Sequence, residues 1–307
     1  MSIVKQLHNP LRKYDPYGEH LVNGLKAAFL LELLFLFNYV YTVPNPFFYF
    51  FFVPMSAFAA EIAGKTLQQK YIFLFFTIMG STLTIFLFGV FSTYKTFFVF
   101  FIFVYSLLIY FTAIYKLHNM SVPAPLILSI AIYSLIYNNS NSNFYIALNH
   151  ALQSITAMLI IFAGLILFPK KYYLTIWYRA FSSVLSEIQS AVDKIINQQL
   201  TTMPIISGTL IMEQYANMLS RRMSHFSVLK ITLIIFELIT QLAAWTICPE
   251  NIKITHQQLF ASHLQRFTAA VKLKHPLTIQ KSDFPDSYAL QALYKLILSW
   301  NYLCHKL

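Results

Sequence analysis

The sequence predicts an all-α integral membrane protein: six transmembrane helices, divisible into two inverted groups of three, followed by a cytoplasmic helical bundle. Three observations predict it. Of the 307 residues, 57% are hydrophobic, 17% aromatic and only 11% charged, whereas a soluble globular chain carries roughly 25% charged residues. The deficit is uneven: of eleven Asp and Glu, only Glu32 and Glu61 lie between Val22 and Phe168, and seven follow. Six apolar stretches fill that acid-poor half. The boundaries implied are a cytoplasmic N-terminal segment at 1–21, a membrane domain at 22–168 and a cytoplasmic α-helical domain at 169–307.

The opening "MSIVKQLHNPLRKYDPYGEH" is polar and holds two prolines. The apolar run after it begins too late and continues too long for a secretory signal. The stretches are Val22–Tyr41, Phe47–Ile62, Ile72–Phe91, Phe97–Tyr115, Val122–Tyr137 and Phe144–Phe168. A helix needs about 20 residues to cross the hydrocarbon core. Four stretches meet this; the second and fifth are short. Each must be helical if it spans, because lipid cannot satisfy free backbone groups.

Cations set the orientation. Lys5, Arg12 and Lys13 precede the first span, Lys65 and Lys70 separate the second from the third, Lys116 follows the fourth, and Lys170, Lys171 and Arg179 follow the sixth. The alternate side holds only Lys95. This positive-inside pattern puts both termini in the cytoplasm. Topology and anionic lipid account for the net charge of +11, so no nucleic-acid partner is read from it.

Six spans in two groups of three force the second group to be inverted. The short members then hold matching places, and each is touched by proline: Pro54 inside the second span, Pro123 and Pro125 at the start of the fifth. Short or proline-interrupted segments at matching positions point to a transport site. Pro54 removes a backbone donor and frees a carbonyl one turn earlier, near Phe50. A packing kink is the plainer alternative.

Ionisable groups within spans are functional candidates by default. Lys26 lies near the cytoplasmic end of the first span, where it either snorkels to the headgroups or meets a ligand. Glu32 is roughly 9 Å further along the axis, too deep to snorkel, and is expected to face protein or a watery cavity. Six residues apart, the two do not share a helix face. Glu61 ends the second span. With Lys65, four residues on, it makes either a helix-end ion pair or part of the pathway.

Past Pro169, Leu174, Tyr178, Phe181, Leu185, Ile188, Val192 and Ile195 step by fours and threes, a helix with a narrow apolar seam. A second helix is expected from near Gly208 past Arg221 and Arg222. "ITLIIFELITQLAAWTI", residues 231–247, is apolar for the lower limit of a span. Glu237 and Gln241 give it a polar stripe, which favours a buried bundle helix ended by Pro249. Two more helices follow, at about Gln257–Lys272 and from Asp286 or Ser287 onward. In the last, Leu290, Leu293, Ile297, Trp300 and Cys304 again step by three and four.

No phosphate loop, nucleophile elbow or paired-cysteine motif occurs. His256 and His263 are seven apart without a carboxylate in zincin spacing. Cys248 and Cys304 make no disulfide framework. Neither catalytic residues nor a metal or other cofactor is expected, and the chain is not read as an enzyme. Active transport would draw on an ion gradient or on a partner.

At this point the chain resembles the fusaric acid resistance and aromatic acid exporter family. "NGLKAAFLLELLFLF" is similar to that family's first span, with Lys26 at its basic position. "NPFFYFFFVPMSAF" is similar to the second. "FTIMGSTLTIFLFGV" is similar to a third-span Gly-Thr-x-x-Gly pattern through Thr77 and Gly80, with Phe76 in place of the first glycine. The family's upstream arginine is replaced by Phe73, and Lys70 is the nearest cation. The layout shared with plant aluminium-activated malate transporters covers nearly the whole chain. The resemblance implies a homodimer of one-module chains in the inner membrane, exporting small organic anions, often aromatic carboxylates. An accessory or scaffold subunit of a larger efflux complex, with a periplasmic adaptor, is the alternative. The pathway residues expected are Lys26, Glu32, Pro54, Glu61, Lys65, Pro123 and Pro125.

Overall fold

A computed structural model describes residues 14–43, 49–50, 66–116, 123–137, 144–197, 199, 204, 206–219, 225–247, 254–285 and 287–305. Among them every regular element is helical, and no strand occurs. The helices are α1 (Glu19–Val40), α2 (Leu67–Phe91), α3 (Lys95–Phe111), α4 (Pro123–Tyr137), α5 (Phe144–Leu167), α6 (Lys171–Ile196), α7 (Gly208–Met218), α8 (His225–Ile247), α9 (Ile254–Lys272) and α10 (Tyr288–Cys304). Five stretches are long and apolar enough to cross a membrane: α1, α2, Lys95–Tyr115, α5 and Phe226–Ile247 of α8. Four coincide with expected spans. The second expected span lies outside the described residues apart from Tyr49 and Phe50. The fifth is the 15-residue α4, about 22 Å long at 1.5 Å per residue.

The chain divides into two compact units, His20–Pro169 and Met1–Glu19 with Lys170–Leu307. In the first, α2 is the central helix. It packs along both α4 and α5, while α3 touches α2 and α4 more lightly. Thr66 starts α2 with a reciprocal cap: Gln69 N donates to Thr66 Oγ1 at 3.2 Å, and Thr66 N to Gln69 Oε1 at 3.3 Å. Such a capping box satisfies two otherwise orphaned amides. α3 continues through a π-helical turn, Thr112–Lys116. Phe98, Phe101 and Tyr105 of α3 pack inward around Phe88, while Phe100, Phe103 and Leu107 remain exposed.

Small residues mark the closest helix approaches, as packing between apolar helices favours. A Cβ on Gly89 would lie 2.3 Å from Ala147 Cβ, and one on Gly80 2.7 Å from Ile127 Cδ1. One on Gly164 would lie 2.6 Å from Leu30. Gly89–Ala147 and Tyr71–Phe162, whose rings are 5.6 Å apart, join opposite ends of α2 and α5. The two helices are therefore antiparallel, with paired residue numbers summing to about 235. Gly164–Leu30 and Phe168–Phe29 bring α1 against the last turns of α5.

In the second unit α6 is the backbone of the core. α7 and α9 pack on it, α8 packs on α7 and α10, and α10 closes on α9. The narrow α6 seam expected from sequence is a broad face here: Ile176, Trp177, Ala180, Val184 and Ala191 are buried too, while Leu174 and Tyr178 are half-buried. A helix covered from two sides buries a wider arc than a two-helix seam. α7 ends at Met218; the expected continuation past Arg221 and Arg222 lies outside the described residues. Ser287 takes the N-cap position of α10 without a side-chain cap hydrogen bond.

Candidate functional site

Lys26 is buried on α1, 3% exposed. Its Nζ approaches Asn23 Oδ1 at 3.4 Å and stands 6.0 Å from the centre of the Phe168 ring, just beyond the end of α5. The distance suits a cation over an aromatic face. Lys70, in the first turns of α2, is also buried at 6%. The α2–α5 register puts Lys70 level with residues near 164, while Lys26 is level with Phe168. Two buried ammonium groups thus occupy one end of this unit, where the carbonyl end of α5 carries partial negative charge. By sequence Lys70 falls in a polar connection; the one signal that sets it apart is its place a single turn before Phe73.

A polar seam runs from that end into the unit. Thr77, Ser81, Thr82 and Thr84 on α2, and His150, Gln153 and Ser154 on α5, are all buried. Most hydroxyls donate back to their own helix: Thr77 to Phe73 O at 3.0 Å, Ser81 to Thr77 O at 2.6 Å, Ser154 to His150 O at 2.9 Å. This local bonding lets serine and threonine sit inside an apolar bundle. Thr84 Oγ1 donates to Gly80 O at 2.6 Å and lies 3.1 Å from Tyr105 OH. A hydroxyl has one proton, so Tyr105 is the donor to Thr84. Thr82 Oγ1 and Gln153 Oε1 are buried without a hydrogen-bond partner, and the α2–α5 register places them at the same height. An unmet buried acceptor costs about 1–3 kcal/mol. The pair is therefore the point of the seam most receptive to a donor from water or from a ligand.

Comparison with protein-family models, with curated protein sequences and with solved structures returned no match.

Of the other expected pathway residues, Glu32, Pro123 and Pro125 are described. Glu32 is exposed on α1. Six residues at 100° each carry it well away from Lys26 on the helix. Pro123 opens α4 and Pro125 is exposed in its first turn, where proline breaks no helical hydrogen bond. The Pro125 carbonyl accepts from Ser129 Oγ at 2.7 Å. Pro54, Glu61 and Lys65 lie outside the described residues. Among the described residues, no group of three or more His, Cys, Asp or Glu could hold a metal ion.

Proposed function

We propose that the chain is an inner-membrane transporter that exports small organic anions, with both termini in the cytoplasm. The observation that carries this reading is the pair Lys26 and Lys70, two buried cations at one end of an apolar helical unit. Buried charge in such a unit is costly and is retained where an ion passes or pairs. Each ammonium supplies positive potential to an arriving carboxylate, which the seam of Thr77, Ser81, Thr82 and Gln153 then receives. The cations lie beside the chain segments that the positive-inside pattern assigns to the cytoplasm, as export requires.

Glu32, exposed on α1, enters this reading as an assembly contact. A carboxylate on the outside of an apolar helix favours a second copy of the chain against α1, so the transporter is read as a homodimer. An accessory subunit would instead offer this face to a larger pump.

Uptake of radiolabelled aromatic and aliphatic carboxylates into inside-out vesicles tests the function. Lys26→Ala and Lys70→Ala should each raise the half-saturating anion concentration several-fold, with less effect on the maximal rate. Parent-like transport by both variants, at equal membrane abundance, would falsify the role given to the cations.

A further inference from the structure

The second unit contains a pocket that the transport reading does not use. It has a volume of about 390 Å³ and lies between the first half of α6, the end of α10 and the turn after α9. Small-molecule sites span roughly 300–1,000 Å³. Trp177, Tyr178 and Trp300 form its aromatic wall, with Leu174 and Leu303 beside them. Their polar atoms are all engaged: Trp177 Nε1 donates to Thr232 Oγ1 at 3.1 Å, Trp300 Nε1 to His275 O at 3.0 Å, and Tyr178 OH to Val271 O. The rings are thereby fixed in place, and their N–H and O–H donors are all in use.

One charged group lines this wall. Lys274 Nζ stands 4.8 Å from the centre of the Tyr178 ring. Its backbone is unusual: among the described residues, Lys274 is the one non-glycine residue with positive φ, at 58°. It ends α9 in a Schellman turn, in which His275 N donates to Ala270 O at 3.0 Å and Lys274 N to Val271 O at 2.9 Å. Glycine is the residue that fits such a position without strain. A lysine here keeps the strain and gains an ammonium at the pocket. Strain of this kind clusters where a side chain has a task.

We propose that this pocket binds a small amphiphilic carboxylate: an apolar body stacked between Trp300, Tyr178 and Leu174, with its anionic end on Lys274. An aromatic box alone would welcome a cation; the ammonium already there reverses that preference. The site is distinct from the α2–α5 seam and stands without the transport reading, because binding by the purified chain requires no transport.

The experiment is a titration of purified full-length protein with phenylacetate and with its neutral isostere phenylacetamide. Tryptophan emission is one readout. Alkylation of Cys304, which lines the same pocket, is the other, followed by peptide mass spectrometry that separates it from Cys248. Phenylacetate should shift the emission saturably and slow Cys304 alkylation. Lys274→Gly should weaken phenylacetate binding at least about tenfold and leave phenylacetamide binding as in the parent. That variant should be no less heat-stable than the parent, because glycine relieves the turn, so lost binding would not be lost folding. Lys274→Arg should retain binding. The proposal is overturned if the parent gives no saturable response, or if Lys274→Gly binds phenylacetate as the parent does. Equal loss of the amide and the acid would overturn it too, since the lysine's charge would then not be what the ligand reads.

Discussion

Gly89 shows what one missing Cβ does in this chain. Its backbone lies so close to α5 that an added Cβ would sit 2.3 Å from Ala147 Cβ and 3.2 Å from Ala147 Cα. Neither atom is the yielding end of a side chain. Gly89→Val gains little helix propensity over glycine and overpacks the contact, so it should destabilise by about 1–3 kcal/mol. Ala147→Gly in the same chain should recover part of the loss. Gly24→Val, at a position with nothing within 4 Å, is the control. Heat-induced unfolding in detergent measures all three, and equal effects at positions 24 and 89 would refute the close approach. His263 gives a pH-dependent counterpart. It is buried and stacked on Phe284, with ring centres 4.5 Å apart. Burial lowers its pKa below the usual 6.5, the Arg266 charge lowers it further, and Asp283 opposes the shift. The unfolded chain therefore takes up a proton before the folded one does, and stability falls as pH drops below about 6.5. His263→Phe should reduce that loss between pH 7 and 5; an unchanged slope would remove His263 as its source.

Among the helices, α8 poses the sharpest question, because by length and composition it could cross a membrane. Its surroundings argue otherwise. Trp177 of α6 donates to its Thr232, and Lys295 of α10 stands 4.0 Å from its Glu237. α6 carries Lys171, Arg179, Asp193 and Lys194 exposed along its length, charges that are costly to place in lipid. The proposed topology therefore keeps α8 with α6 and α10 outside the lipid. Reporter fusions at Gln199 and after Cys304 should therefore read on the same side, the cytoplasmic one. Opposite readings would make α8 a span and would move α9 and α10 across the membrane. Pro123 and Pro125 illustrate how placement within an element decides a residue's effect. In the first turn of α4 they start a helix, whereas in its middle they would break one.

For the whole molecule, the outer face of α1 bears on assembly. Leu25, Glu32, Leu36 and Tyr39 are exposed there at spacings of seven, four and three. That spacing matches the stripe of one helix packed against another, and covering it would take Glu32 out of lipid. With Cys248 and Cys304 replaced by serine, Leu36→Cys should form a disulfide-linked dimer on mild oxidation in the membrane. Mass measurement in nanodiscs should show two chains. A cross-link to a protein of different mass would favour the accessory-subunit reading. A monomer with full transport would end the dimer proposal.

The sequence by itself determined that these elements are helices, roughly where they run, and which half of the chain is poor in acid. Hydrophobic period and charge are local properties, and no partner is needed to express them. It located Lys26 as a charge within an apolar helix for the same reason. Only the tertiary structure decided that Lys70 is buried at the same end as Lys26, and that Thr82 and Gln153 share a level. It also brought Lys274 beside Tyr178, 96 positions away in the chain. These facts depend on which helix packs against which and at what register. That choice is made by contacts such as Gly89 on Ala147, between residues far apart in sequence, whose fit no local pattern encodes.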